Sequence, residues 1–268
     1  MPTESAPSRE EKPPGFPRIV YAGDRDISVR VLDFLIESSF KPMALLVPDW
    51  GRATHAGELA TLASYLPPQN ILRGTEFKSK AGVELLKGLH PDYIISIHFP
   101  YIFPKEVLEI PRCGTINLHP AYLPCNRGWH TPTWAIQEGT PYGATLHFVS
   151  EEVDAGDIIL QRRIEVKPDD TADSLYKRVK RLEFLVFKEA WPLIVNGTYQ
   201  RKPQNLAEGT LHKKEDIIKL QWIDLNEQTT AADLIKRLRA LTTNTIEEAA
   251  YFEVAGGKYR IRVRIKKE

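Results

Sequence analysis

Short apolar runs alternate with amphipathic stretches through the first 110 or so residues. The runs that predict buried strands are RIVYA (18–22), MALLVP (43–48) and DYIISI (92–97). Apolar residues at helical spacing predict helices over about 27–38, 54–65 and 80–88, the first of them after a turn at Gly23–Asp26. Because strands and helices alternate, this part of the chain is expected to form parallel βαβ units.

The pattern continues to about residue 200. A short helix is predicted after Pro104, and the runs TINL (115–118), ATLHFV (144–149) and DIILQRRIEV (157–166) predict further strands. Thr171 is a suitable N-cap for a long helix with Leu175, Val179 and Leu182 on its inner face. We expect this helix to end or bend near Trp191–Pro192, ahead of Asn196–Gly197.

The character of the chain changes after about residue 200. The polar stretch QRKPQNLAEGT precedes a helix predicted near 230–241, and the alternating runs around Gly256–Gly257 predict a hairpin. We therefore divide the chain into a leader (1–17), a main α/β domain (18–204) and a small α+β appendage (205–268). The leader is polar and proline-rich, which is typical of disorder, and it lacks the apolar core of a secretory signal.

Composition excludes several classes of function. The 268 residues are 42% hydrophobic with a net charge of +1, so no general affinity for nucleic acid or an anionic membrane is expected. No apolar run approaches the length of a membrane span. The two cysteines, Cys113 and Cys125, are expected to stay reduced, which favours a cytoplasmic protein.

The stretch GTINLHPAYLPCNRGWH (114–130) carries candidate chemistry. A strand would send the side chains of Asn117 and His119 to the same face, at its carboxyl end, where open α/β sheets hold ligands. A buried amide can stabilise a developing oxyanion, and a neutral imidazole can accept a proton. On spacing alone, such a stretch is more often a loop whose asparagine caps backbone groups and whose histidine has no catalytic role.

A carboxylate partner for the histidine is expected in SEEVDAGDII, where Asp154 precedes an Ala-Gly turn. By themselves, the acids of this segment would usually form a turn with a solvated face; they are Glu151, Glu152, Asp154 and Asp157. No serine, threonine or cysteine lies in a nucleophile motif, so the pattern favours direct transfer of an acyl-like group to an external nucleophile.

The run INLHPAYLPCNRGWHTPTWAIQEGTPYGATLHFVSEEVDAGDIILQ resembles the catalytic core of the formyltransferases that use N10-formyltetrahydrofolate. The resemblance implies a Rossmann-like, mostly parallel sheet flanked by helices and a catalytic triad at Asn117, His119 and Asp154. It implies that Asn117 stabilises the oxyanion, His119 relays the proton of the attacking amine to N10, and Asp154 supports the imidazolium.

The same resemblance places the folate beside the loop HFPYIFP (98–104). It implies cofactor contacts from Phe99, Tyr101 and Ile102, with Asp157 as a further candidate; plugging of the sheet end is the alternative for the aromatic residues. His98 and His147 are interpreted as satisfied residues at the sheet edge. No pair has metal-ligand spacing, so no metal is expected.

The acceptor is suggested by the flanks of this core. The turn AGDRDIS has one glycine, unlike the glycine-rich phosphate loop of the glycinamide ribonucleotide enzymes. The appendage is short beside the C-terminal barrel of initiator-tRNA formyltransferases, and the leader is no regulatory domain of a deformylase. The segments AGDRDIS, NRGWH and LHKKEDI resemble the sugar N-formyltransferases, which modify nucleotide-linked amino sugars destined for polysaccharides such as the lipopolysaccharide O-antigen.

In that branch the C-terminal part grips the nucleotide and forms a homodimer contact. The residues that the resemblance suggests for substrate binding are Arg127, Trp129, His212, Lys213, Tyr251 and Phe252. Burial in the appendage or a solvated face explains each of these residues as well. Transfer to glycinamide ribonucleotide or another small amine, and a non-catalytic folate-binding relative, remain as alternatives.

Overall fold

The computed structural model describes residues 15–268, so residues 1–14 of the predicted leader lie outside the described part. The strands are β1 (Ile19–Gly23), β2 (Ala44–Val47), β3 (Ile71–Arg73), β4 (Tyr93–Ile97), β5 (Gly114–His119), β6 (Arg127–Gly128), β7 (Tyr142–Phe148), β8 (Ile158–Ile164), β9 (Leu211–His212), β10 (Ala250–Val254) and β11 (Gly257–Ile261). The α-helices are α1 (Arg25–Glu37), α2 (Ala56–Leu62), α3 (Lys80–Gly88), α4 (Lys105–Leu108), α5 (Thr131–Glu138), α6 (Ala172–Asn196), α7 (Ile218–Gln221) and α8 (Ala231–Ala240).

Seven strands form one sheet in the order β3-β2-β1-β4-β5-β7-β8. The five strands from β3 to β5 in this order pair in parallel, whereas β7 pairs antiparallel with both of its neighbours, β5 and β8. This confirms the mostly parallel α/β fold. The strand order reverses between β1 and β4, and the crevice at the carboxyl ends of such strands is the usual ligand site of an open α/β sheet.

Helices cover both faces of the sheet. Ile19 and Tyr21 of β1 pack into a cluster that includes residues of α1 and α6, whereas Val20 and Ala22 pack with residues of α3 and α4. All five positions of β1 are buried, as are those of β4. Near-continuous apolar runs are therefore required in these strands, which is why the sequence predicts them well.

Helix α6 begins as predicted but runs further. Thr171 caps it, with its hydroxyl accepting the backbone N–H of Ser174, and it continues through Pro192 to Asn196. The helix therefore does not end near Pro192; Trp191 and Ile194 are buried on either side, and this packing offsets the lost helix hydrogen bond. Gly197, in left-handed conformation, ends the helix.

The C-terminal segment contains the predicted hairpin, β10–β11. Its turn lies at Ala255 and Gly256, both with positive φ, one residue earlier than expected, and Gly257 already pairs with Val254. A second connection was not predicted: β6 and β9 form a two-residue parallel pair that joins the segment after β5 to the start of the C-terminal region. Among residues 15–268, no helix is long and apolar enough to cross a membrane.

Candidate active site

Asn117 and His119 lie at the carboxyl end of β5, on one face, and both line a cavity of about 500 Å³. Strand β5 lies between β4 and β7, so the cavity opens at the middle of the sheet. Asp154 enters from the loop after β7 and also lines it. The three residues predicted as a triad are thus brought together in space.

The contacts within this group define its geometry. The His119 Nδ1 atom lies 3.6 Å from Asp154 Oδ2, and Asn117 Nδ2 lies 3.5 Å from Asp154 Oδ1. The other ring nitrogen of His119, Nε2, lies 3.2 Å from the carbonyl oxygen of Asn126. Since a carbonyl only accepts, we assign the proton of neutral His119 to Nε2, which leaves Nδ1 facing the carboxylate and able to take a second proton.

His147 is a fourth member that the sequence did not reveal. It lies in β7, which is an interior strand of the sheet. His98 follows β4, which is also an interior strand. The expectation that these two histidines lie at the sheet edge is therefore wrong. The His147 Nδ1 atom donates to the carbonyl of Phe148 at 2.8 Å, so Nε2 accepts from the Asn117 amide at 3.2 Å. This contact fixes the orientation of the Asn117 amide, so that its second N–H faces Asp154 Oδ1 across a long distance of 3.5 Å.

The electrostatics keep His147 neutral and Asp154 charged. Burial lowers the pKa of His147 to about 4. Burial alone would raise the pKa of Asp154, but His119, His147 and the N–H of Gly128 outweigh it, so that the pKa lies below its ordinary value. The Gly128 N–H donates to Asp154 Oδ2 at 2.9 Å. A carboxylate held in this way can stabilise an imidazolium at His119.

The turn that carries Asp154 is fixed from two sides. Gln204 donates its side-chain N–H₂ to the carbonyls of Asp154 (2.9 Å) and Gly156 (2.7 Å). On the other side, the turn packs so closely on β7 that a Cβ added to Gly156 would lie 2.0 Å from the carbonyl oxygen of Phe148. Asp154 itself has a positive φ of 49°, which is uncommon for a residue other than glycine.

The predicted folate loop forms one wall of the cavity. Phe99, Tyr101 and Ile102 all line it, and the Tyr101 hydroxyl donates to Asp49 at 3.0 Å. Phe99 packs against Phe77 with ring centroids 5.5 Å apart, whereas Ile102 is 73% exposed. Phe99 therefore supports the loop and Ile102 presents free apolar surface. The loop has the apolar character that a flat heterocycle requires.

Asp157 lies elsewhere. Its carboxylate accepts from Arg201 Nε at 2.9 Å and does not line the cavity. The backbone explains this, because Asp157 immediately precedes β8 and its carbonyl bonds the N–H of Phe148. The Asp157 carboxylate is thus engaged outside the cavity, and the structure gives no support for a cofactor contact from it.

Of the residues suggested for the acceptor, Trp129 alone lines the cavity. Arg127 lies behind it, 8% exposed at its side chain, with Nη1 2.7 Å from Glu152. His212 stacks on Trp134 with ring centroids 3.9 Å apart and lies 3.1 Å from Glu138, which ties β9 to α5. Lys213 is exposed outside the cavity.

Tyr251 and Phe252 lie in β10, outside the cavity of their own protomer. Lys258 lies 3.9 Å over the Tyr251 ring, and Phe252 stacks on Tyr259. These contacts hold the hairpin together, so stacking on a nucleotide base is not supported within one protomer. The C-terminal segment reaches the cavity instead through Thr243–Thr245 and Glu248, which follow α8.

A further part of the cavity wall begins at His98, the first residue of the folate loop, and was not predicted from the sequence. His98 has a positive φ of 52°, and its Nε2 lies 2.7 Å from Glu183, whose side chain is fully buried in α6. Tyr176 lies 3.4 Å from the other ring nitrogen and lines the cavity. Arg25 and Arg52, which follow β1 and β2, complete this wall. Within residues 15–268, no cluster of three or more histidine, cysteine or acidic side chains has metal-binding geometry.

Comparison with known proteins agrees with this arrangement. The family model described as formyl transferase matches residues 50–190, about half of the chain. A second model, the N-formyltransferase dimerization C-terminal domain, matches residues 216–267. The first match covers the sheet from β3 to β8, with Asn117, His119 and Asp154, and the second covers the segment with the hairpin.

Individual relatives are similar over most of the chain. The dTDP-4-amino-4,6-dideoxyglucose formyltransferase of Mycobacterium tuberculosis is 33% identical over 177 residues, 66% of this chain and 74% of its own length. The crystal structure of a 4-N formyltransferase from Francisella tularensis superposes with a TM-score of 0.80 at 26% identity, covering 94% of this chain and 99% of that one. A formyltransferase from Anoxybacillus kamchatkensis, solved with UDP-4,6-dideoxy-4-formamido-L-AltNAc and tetrahydrofolate, superposes with a TM-score of 0.57 at 25% identity, covering 83% and 98%.

Proposed function

The chain belongs to the formyl transferase family, and we propose that it transfers a formyl group from N10-formyltetrahydrofolate to the amine of a nucleotide-linked amino sugar. The observation that carries this proposal is the meeting of Asn117, His119 and Asp154 in one cavity at the carboxyl edge of the sheet. The similarity to the mycobacterial enzyme, which acts on an amino sugar linked to dTDP, supports the acceptor class.

The cavity has the chemical character that both substrates need. The apolar lining formed by Ile102, Phe103 and Val149 suits the pterin of the donor, which supplies the formyl group. Carboxylates line the part nearest the triad and suit the acceptor's amine. The residues present therefore fit a folate donor and an amine acceptor side by side.

Each member of the triad has a role that follows from its contacts. Asn117 is oriented by His147, and its second N–H, which lies 3.5 Å from Asp154 when no substrate is bound, donates to the formyl oxygen as negative charge develops there. His119 takes the proton of the attacking amine and passes it to the departing nitrogen. Asp154 stays ionised and stabilises the imidazolium, since its pKa is held below the ordinary value. No nucleophile of the enzyme is needed.

Release of tetrahydrofolate with a panel of nucleotide-linked amino sugars tests the proposal. Acceptor-dependent release, with the formylated sugar detected by mass spectrometry, is the expected result. Turnover with glycinamide ribonucleotide alone would contradict the sugar acceptor. Release without any acceptor would indicate a deformylase, and folate binding without release would indicate a binding protein.

We also propose that the protein works as a homodimer joined through the C-terminal segment. The match of residues 216–267 to a dimerization domain supports this state. Trp222, Val254 and Tyr259 of that segment are about half exposed and give it free apolar surface. Sedimentation equilibrium measures the mass directly, and a monomer at micromolar concentration would contradict the proposal.

A further inference from the structure

The cavity wall at the ends of β1 and β2 carries two arginines on separate elements. Arg25 directly follows the strand-end turn of β1, and Arg52 lies in the loop between β2 and α2. Both side chains line the cavity while remaining open to solvent at its mouth. A guanidinium is always charged and offers a fork of donors that matches the oxygens of a phosphate group.

These arginines are the cavity's cations with the fewest partners. Within the described range 15–268, the side chain of Arg52 has no hydrogen bond or ion pair, and that of Arg25 has one ion pair, to Asp24 at 3.9 Å. Asp24 is already engaged, because its Oδ1 accepts the backbone N–H groups of Thr54 and His55. Two guanidiniums therefore face the cavity with donors to spare.

Apart from Asp24, the acidic residues of the cavity are engaged by other cations or by histidines. The pairs are Glu151 with Lys105 (3.3 Å), Glu152 with Arg127 (2.7 Å), Asp154 with His119 (3.6 Å), Asp173 with Lys177 (2.7 Å) and Glu248 with His130 (3.8 Å). Nearby Asp26 is held by Lys180 at 2.9 Å. Among the residues from 15 onward, none of these carboxylates pairs with the Arg52 side chain, so an anion from outside the chain fits this place.

The backbone of the turn after β1 supports recognition by side chains. Its glycine, Gly23, is explained by packing, because a Cβ there would lie 1.8 Å from the hydroxyl of Ser28. Arg25 has a positive φ of 69°. A bulky residue in this region is an outlier, and such strain is concentrated at functional sites. The chain accepts this conformation at a residue whose side chain faces the cavity.

The distance between Arg25 and the triad indicates which kind of anion fits. Only β4 lies between β1 and β5, so these two strands are about 10 Å apart, which is two strand spacings. Arg25 follows β1, and Asn117 and His119 lie at the end of β5. A substrate that presents an amine at the triad and an anion at Arg25 needs a ring of sugar size between the two groups. A nucleotide-linked amino sugar has this order of groups, with its diphosphate one ring away from the amine.

We propose that Arg25 and Arg52 form the subsite that binds the diphosphate of the acceptor, a proposal that rests on the proposed function. Two guanidiniums from the β1–α1 and β2–α2 connections hold the phosphate oxygens at the cavity mouth. The nucleoside then lies at the open side and the sugar points inward to the triad. The glutamate tail of the folate is the other carrier of anionic groups, and the experiment separates the two.

The test uses Arg52→Gln and Arg25→Asn, with Lys80→Gln as the matched control. Asparagine tolerates a positive φ, so Arg25→Asn removes the charge without adding backbone strain. Lys80 is an exposed cation outside the cavity. For each variant, KM is measured separately for the acceptor and for N10-formyltetrahydrofolate, and binding of inorganic pyrophosphate, UDP and dTDP is measured by calorimetry.

The expected result is an acceptor KM raised roughly tenfold or more by each arginine variant, since a charged hydrogen bond is lost. The donor KM should stay unchanged, and pyrophosphate binding should weaken in parallel. A raised donor KM with an unchanged acceptor KM would overturn the proposal in favour of the folate tail. Undiminished pyrophosphate binding in both variants would also overturn it.

The proposed function and this subsite fail in different ways. If wild-type protein formylates no nucleotide sugar, the acceptor class is wrong, yet arginine-dependent binding of pyrophosphate and dTDP still supports a diphosphate site. If a nucleotide sugar is formylated and the arginine variants bind it normally, the function stands and the subsite is refuted.

Discussion

A single methyl group added at Gly156 should strongly disturb catalysis. Addition of one methyl group in Gly156→Ala places a Cβ 2.0 Å from the carbonyl oxygen of Phe148, whereas real Cβ atoms stay at least 3.0 Å from such atoms. The partner is backbone of β7, paired on both sides, so the turn must move by about 1 Å. Asp154 lies two residues earlier on this turn and moves with it.

A displacement of about 1 Å at a group that positions the reaction costs on the order of a hundredfold in rate. We therefore expect Gly156→Ala to lower kcat by about that factor, although Gly156 contacts neither proposed substrate. The measurement is steady-state release of tetrahydrofolate, together with the thermal unfolding temperature and the affinity for the donor. Gly57→Ala is the control, because its Cβ meets nothing within 4 Å and alanine favours a helix.

The reasoning predicts a folded variant that binds the donor and turns over slowly. Normal turnover by folded Gly156→Ala would refute the view that the turn holds Asp154 at a required position. Equal loss in Gly57→Ala would show that the assay reports general damage rather than the turn.

Three further predictions concern the triad, its histidine support and the folate loop. Asn117→Ala removes the proposed oxyanion donor and should lower turnover roughly a hundredfold or more with donor binding retained; near-normal turnover in the tetrahydrofolate assay would contradict its role. Burial lowers the pKa of His147 from 6.5 to about 4. Between these two pH values the unfolded chain binds a proton at this histidine that the folded chain does not bind. The free energy of unfolding should therefore fall by up to about 3 kcal/mol as the pH drops from 6.5 to 4. His147→Gln should lack this part of the acid dependence in unfolding curves measured from pH 7 to 4, and an unchanged pH profile would argue against a buried neutral histidine. Ile102→Ala removes exposed apolar surface from the folate loop and should raise the donor KM roughly tenfold, given about 1.5–3 kcal/mol for burial of such a side chain; an unchanged donor KM would place the pterin elsewhere.

The sequence predicts the central part of the fold because burial dictates it. β1, β2 and β4 are buried on both faces, so their apolar runs are unmistakable, and Thr171 marks the start of α6. β3 was missed because it has only three residues, of which one is buried. The two-residue pair β6–β9 carries no periodic pattern at all, since two residues cannot show one.

The candidate site was predictable where its residues share one strand. Asn117 and His119 lie two residues apart on β5, so the period of the strand places them together. His147 and Gln204 come from distant parts of the chain, and their roles depend on contacts with Asn117 and with the Asp154 turn. Local pattern carries no trace of such contacts. The cofactor contact suggested for Asp157 is unsupported for the same reason, since its pairing with Arg201 is a tertiary contact that the local sequence does not show.

The β6–β9 pair has a consequence for recombining this chain with its relatives. Gly128 of β6 holds Asp154 through its N–H, has a positive φ, and leaves no room for a Cβ beside the carbonyl of His212, which lies 2.3 Å from that position. The two strands are therefore one fitted unit, although more than 80 residues of chain separate them. A chimera that exchanges specificity modules at residue 205 would divide this unit and mismatch the triad's support. A crossover placed after His212 keeps the β6–β9 pair together. The suitable crossover point therefore lies later in the chain than residue 205, the boundary suggested by composition.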